Sequence, residues 1–128
     1  MNLNLLSKSI VLPLLLLVAF LAGGCGEGGG PPSAISMEQI PAELGKAFSS
    51  AKGEAKDLSS QAVTAVQGKE FSKAAMTLDA LAQRSDLSKL QSRTVAGAAI
   101  TINAALLEAE SKGDARAAEA LDFRRKTK

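Results

Sequence analysis

Histidine, tryptophan and tyrosine are absent from this chain of 128 residues, and cysteine occurs once. Without histidine, a nucleophile–histidine pair and a histidine-ligated metal site are excluded. A single cysteine, Cys25, cannot close an intramolecular disulfide, so the fold must hold without a covalent staple. Paired carboxylates are missing in the useful sense. Glu108/Glu110 and Glu38/Glu43 lack the i, i+4 spacing that sets two carboxylates side by side on a helix. The glycines from Gly26 to Gly30 are not followed by Lys-Ser/Thr, so they make no phosphate loop. Ser49, Ser50, Ser59 and Ser60 read as polar-face residues with no base to pair with. These absences predict a protein that is not an enzyme and has no metal or dissociable cofactor.

A long apolar run is also missing. Ile10–Ala22 is uncharged and rich in Leu and Val, but its thirteen residues fall short of the roughly 20 that span a bilayer as a helix. Lys8 and the Met1 amine give it a basic start, and Pro13 sits early, where a helix tolerates it. Gly23, Gly24, Gly26 and Gly28–Gly30 make extension of a helix costly. A basic start, an apolar stretch and small residues at the end form a cleavable secretory signal.

Leu21-Ala22-Gly23-Gly24-Cys25 resembles the lipobox of bacterial lipoproteins. The resemblance implies cleavage after Gly24, recognition through Leu21, Ala22, Gly23 and Gly24, and a covalent diacylglycerol and acyl lipid on Cys25. It places the protein in the cell envelope, held to a membrane through its lipid. Gly26 follows the cysteine, where an Asp would resemble the inner-membrane retention signal of enteric bacteria. That favours the periplasmic face of the outer membrane. A redox role for Cys25 is disfavoured, because Glu27 opposes thiolate formation. The expected division is signal 1–24, lipidated cysteine and Gly/Pro linker 25–36, helical domain 37–123 and basic tail 124–128.

The net charge of +2 conceals an asymmetry. Residues 26–123 hold 13 acidic and 10 basic side chains, while the last five residues add +4. Arg124, Arg125, Lys126 and Lys128 are therefore candidates for contact with anionic lipid or cell-wall polymer. They also suit the negative pole of a closing helix. Nucleic acid is not expected, since a secreted chain would not meet it and no aromatic residue interleaves with the cations.

Behind the linker the periodicity is helical, and no period-two alternation competes. Leu44, Phe48, Ala51, Ala55, Leu58, Ala62 and Ala65 recur at steps of three and four. Gly45 and Gly53 interrupt them, giving either one long helix or a short one and a second. Gln67-Gly68 ends that stretch. Phe71, Ala74, Ala75, Leu78 and Leu81 mark a helix to about Arg84. Ser88 and Gln91 form a capping box. The helix they open carries Val95, Ala99, Ile102, Leu106 and Ala109, with Ile100 and Leu107 widening the stripe. Residues 94–107 lack charge, which predicts a buried central helix. Gly113 ends it, and Asp114 caps a last helix bearing Ala117, Ala118 and Leu121. The fold class is all-α: a small alanine-rich bundle or helical-hairpin domain of three to four helices. Alanine faces bury little area at roughly 25 cal/mol per Å², so a partner or self-association (a homo-oligomer) would add stability.

Residues 67–81 resemble the second half of a tetratricopeptide repeat, with Gly68, then Phe71, Ala74, Leu78 and Leu81 at that family's steps. An echo follows at 112–118, with the two glycines 45 residues apart. The resemblance implies hairpin packing and a protein-binding groove. Two functions follow. One is a membrane-anchored, non-catalytic module that binds a protein partner not identifiable from the sequence. The other is a structural envelope lipoprotein. In that reading the lipidated cysteine, alanine-rich body and terminal Lys128 are similar to the murein lipoprotein, which is joined to peptidoglycan.

Overall fold

Gly53 adopts φ +60°, a conformation open to glycine at little cost, and this breaks the first apolar stripe into two helices. The computed structural model describes residues 30–127. It is all-helical there: α1 (Ile40–Ala47), α2 (Gly53–Gln67), α3 (Phe71–Ala82), α4 (Lys89–Ser111) and α5 (Ala115–Lys126). The expected signal segment, Cys25 and Lys128 lie outside the described residues.

Consecutive helices pack on one another from α1 to α5. In addition α1 reaches α4, and α3 reaches α5. Between them Ile40, Leu44, Phe48, Leu78, Leu81, Val95, Ile102 and Leu106 are the largest fully enclosed side chains. The alanines Ala62, Ala65, Ala74, Ala75 and Ala98 fill the remaining contacts. Small residues at these positions let the helix backbones approach closely.

Several helix ends find partners for their free backbone groups. The Ser88 capping box forms as expected: Ser88 Oγ accepts from the Gln91 amide at 3.1 Å, and Gln91 Oε1 accepts from the Ser88 amide at 2.9 Å. The same Gln91 side chain donates to the Ala47 carbonyl at 3.2 Å, closing the end of α1. Lys56 Nζ donates to the Phe48 carbonyl beside it. Asp114 accepts from the amides of Arg116 and Ala117 at the start of α5.

Two turns share one backbone pattern. After α2, the Glu70 amide donates to Ala65 O at 2.8 Å and the Lys69 amide to Val66 O at 3.0 Å. After α4, the Asp114 amide donates to Ala109 O at 3.0 Å and the Gly113 amide to Glu110 O at 2.9 Å. Both are Schellman closures, which need one left-handed residue. At the second turn that residue is Gly113, φ +89°; at the first it is Lys69, φ +57°, not Gly68.

The three to four helices expected are five among the described residues, and four further expectations change. Ser59 is buried rather than on a polar face, with its hydroxyl donating to Lys56 O at 2.9 Å. Ile100 and Leu107 are 44% and 47% exposed and do not widen the core stripe; Ala98 and the small Gly97 and Thr94 lie inside instead. Helix α5 continues through Lys126, so three residues of the expected tail are its last turn. Finally, the packed body includes part of the expected linker. The Ile35 amide donates to Gly97 O at 3.2 Å, and Thr101 Oγ1 donates to Ile35 O. A Cβ at Gly97 would stand 2.6 Å from Ser33 O and 2.9 Å from Ile35 Cγ1. Gly97 is thus the seat of a strap formed by residues 33–35.

Candidate binding groove

Helices α3 and α5 follow the same kind of turn and run alongside each other. Two polar clasps join them. Near their starts, Ser72 Oγ donates to Arg116 O at 3.3 Å. Farther along, Arg124 Nη2 donates to Asp79 Oδ1 at 3.0 Å, while its Nη1 donates to Asn103 Oδ1 at 3.1 Å. Between the clasps lies an open groove of about 760 Å³. Ala75, Ala80 and Ala120 line it, and their short side chains are what leave the space. Met76 and Phe123 stand at its sides, 63% and 60% exposed. Exposed Arg116 and Glu119 add one charge of each sign.

The groove presents an apolar surface to solvent. Its apolar surface comes from alanine, methionine and phenylalanine, and methionine adapts its shape to what it contacts. Among the described residues, no three His, Cys, Asp or Glu gather in one place. Buried Ser59, Thr77 and Thr94 each donate to a carbonyl three or four residues earlier on their own helix. Those hydroxyls are thereby committed to the helices.

The cations expected at the C-terminus are distributed differently from a free tail. Arg124 is held by Asp79 and Asn103, and its side chain is 18% exposed. Arg125 faces Glu110 at 3.3 Å, and Lys126 faces Asp122 at 2.6 Å. Leu21, Ala22, Gly23, Gly24, Cys25 and Lys128 lie outside the described residues. The groove itself went unread in the sequence, although two signals bore on it. Phe123 falls off the Ala117/Leu121 stripe of α5, and Met76 falls off the stripe of α3.

Elsewhere, Arg84 ties the end of α3 to the start of α2. It donates to both carboxylate oxygens of Asp86, at 2.9 and 2.8 Å, and to Glu54. Hydrogen bonding from Arg84 holds the Asp86 carboxyl below its ordinary pKa. Lys112 does the same for Glu108.

Comparison with known proteins gives no match to a family model, a curated protein or a solved structure. Among the described residues, no helix is long and apolar enough to cross a membrane.

Proposed function

We propose that this chain is a lipid-anchored envelope protein whose helical domain binds another protein without catalysis. The observation that carries the reading is the α3–α5 groove, open to solvent, with Met76 and Phe123 presented at its sides. Large exposed apolar side chains beside a concavity are a feature of recognition surfaces. The lipobox-like segment ending at Cys25 supplies the anchoring half of the proposal. The tetratricopeptide-like spacing of Phe71, Ala74, Leu78 and Leu81 supports a hairpin scaffold for the groove. The murein-lipoprotein alternative draws less support, because Arg124, Arg125 and Lys126 are each paired with a carboxylate of the domain.

Mass spectrometry of the mature N-terminus tests the anchor, with an acylated Cys25 as the expected first residue. Photocrosslinking in intact envelopes tests the groove. A photoreactive residue at position 76 or 123 should give one stoichiometric protein adduct, and one at exposed Leu90 should not. Equal labelling from all three positions, or none from 76 and 123, rejects the groove as a partner site.

A further inference from the structure

The uncharged stretch of α4 has two apolar faces, and only one meets the core. Ile102, Leu106, Val95 and Ala98 point inward. On the opposite side, Lys89, Arg93, Ala96, Ile100, Ala104 and Leu107 succeed one another at steps of four and three, which sets them in one strip along the helix. Ile100, Ala104 and Leu107 are exposed. The strip holds no carboxylate, and its two cations form no ion pair among the described residues. It is flanked on one side by the strap seated on Gly97 and Thr101. On the other side Asn103 and Glu110 engage α5 through Arg124 and Arg125. None of its residues lines the α3–α5 groove.

We infer that this strip of α4 rests on the phospholipid surface to which Cys25 is anchored. The inference builds on the lipidation reading above. Seven residues lie between Cys25 and Ser33, and the eight steps from one to the other, at roughly 3.5 Å each, reach at most about 28 Å. Because the strap docks beside the strip, the lipid attachment must lie within that distance of the edge of this face of α4. A leaflet meets the strip with complementary chemistry. Lys89 and Arg93 suit phosphate headgroups, and Ile100 and Leu107 suit the acyl boundary, as in an interfacial amphipathic helix. A single such face binds weakly on its own, and tethering raises its effective concentration at the surface. The α3–α5 groove, which shares no residue with the strip, stays available to a protein partner.

The chain has no tryptophan, so a single introduced one reports without background. The full-length protein, matured in cells, is placed in vesicles of phosphatidylethanolamine and phosphatidylglycerol with and without brominated acyl chains. The variants are Leu107→Trp, Ile100→Trp and, in the groove, Phe123→Trp. The expected result is a blue shift and loss of emission to bromine at positions 107 and 100, with no loss at 123. All three positions are exposed, and far-ultraviolet circular dichroism confirms that each variant is folded. As a measurement free of substitution, amide exchange across residues 96–107 should slow on vesicles relative to detergent-free soluble protein made without the signal and Cys25. Vesicle-bound protein with unquenched 107 and 100 overturns the inference. So does a blue shift without bromine quenching, which assigns the strip to a second copy of the chain. Protein that does not float with the vesicles instead defeats the lipidation reading, so the two failures are told apart.

Discussion

Helices α3 and α5 have equal length, follow the same Schellman closure and lie side by side, yet they are buried very differently. Five positions of α3 are enclosed: Ala74, Ala75, Thr77, Leu78 and Leu81. In α5 only Ala117 and Leu121 are. The difference is one of position. Helix α3 is wedged between α2 and α4, whereas α5 packs on α4 and touches α3 along one edge. The hairpins before them match at an offset of 44 residues, which pairs Lys69 with Gly113, Ala65 with Ala109 and Ala62 with Leu106. A repeated backbone plan therefore carries two grades of core: an alanine seam in the first hairpin, and a leucine in the second. The end of such a stack keeps one face without a neighbour, and there the groove lies.

The sharpest way to break the comparison is to equalise the cores. Leu106→Ala should lower stability by about 2–5 kcal/mol through lost burial and a residual cavity. Ala62→Leu, at the matching but closed position, should cost about 1–3 kcal/mol through overpacking. Thermal and urea denaturation measure both, and a neutral Ala62→Leu would show the hairpins to be interchangeable. Exchanging the left-handed residues comes next. Gly113→Ala should cost about 1–2 kcal/mol, the penalty for a Cβ in that conformation. Lys69→Gly relieves the same penalty at the other turn, offset by chain entropy, and should gain up to about 1 kcal/mol.

The caps should differ more gently. Asp114→Ala removes two accepted amide bonds and should cost about 1 kcal/mol. Glu70 provides no side-chain cap to α3, so Glu70→Ala should stay within about 0.5 kcal/mol. The smallest effect is electrostatic. Asp86 and Glu108 are depressed in the folded state, so their contribution is complete above the unfolded carboxylate range, near about pH 4. It is lost as pH falls through their lower folded values. Asp86→Asn should flatten this acid limb at low ionic strength. Added salt should shrink the difference, because the pair is exposed to solvent.

Much of the fold was legible because its signals are local. Ser88 with Gln91, Gly113 with Asp114, and the Phe71–Leu81 stripe each act within a few residues, and each lands where expected. At the first turn Gln67-Gly68 ends the helix as expected, and the left-handed residue that closes it is Lys69. A lysine can occupy that conformation when the Ala65 and Val66 carbonyls are closed by it. Ile100 and Leu107 were misplaced. Hydropathy reports that a face is apolar, but the side that meets the core depends on where α1, α3 and α5 stand. The strap was hidden entirely. Its seat is a missing Cβ at Gly97, and its hydrogen bond from Thr101 to Ile35 joins residues 66 apart. The groove was partly hidden, since its breadth depends on Ala75, Ala80 and Ala120 coming together from two helices.

The strap and α1 also impose an order on assembly. Residues 33–48 are made early, yet they rest on α4: Ile35 waits for Gly97 and Thr101, and the end of α1 waits for Gln91, 44 residues later. Contacts within the α2–α3 hairpin close over short loops and need no such delay, so they are the ones favoured first. Helix α1 can pack on α2 early, but the strap, the first part of the domain to leave the ribosome, keeps its hydrogen-bond partners waiting until α4 exists. In a chain delivered from its N-terminus, residues 33–35 remain available to whatever handles that end until α4 has arrived and formed.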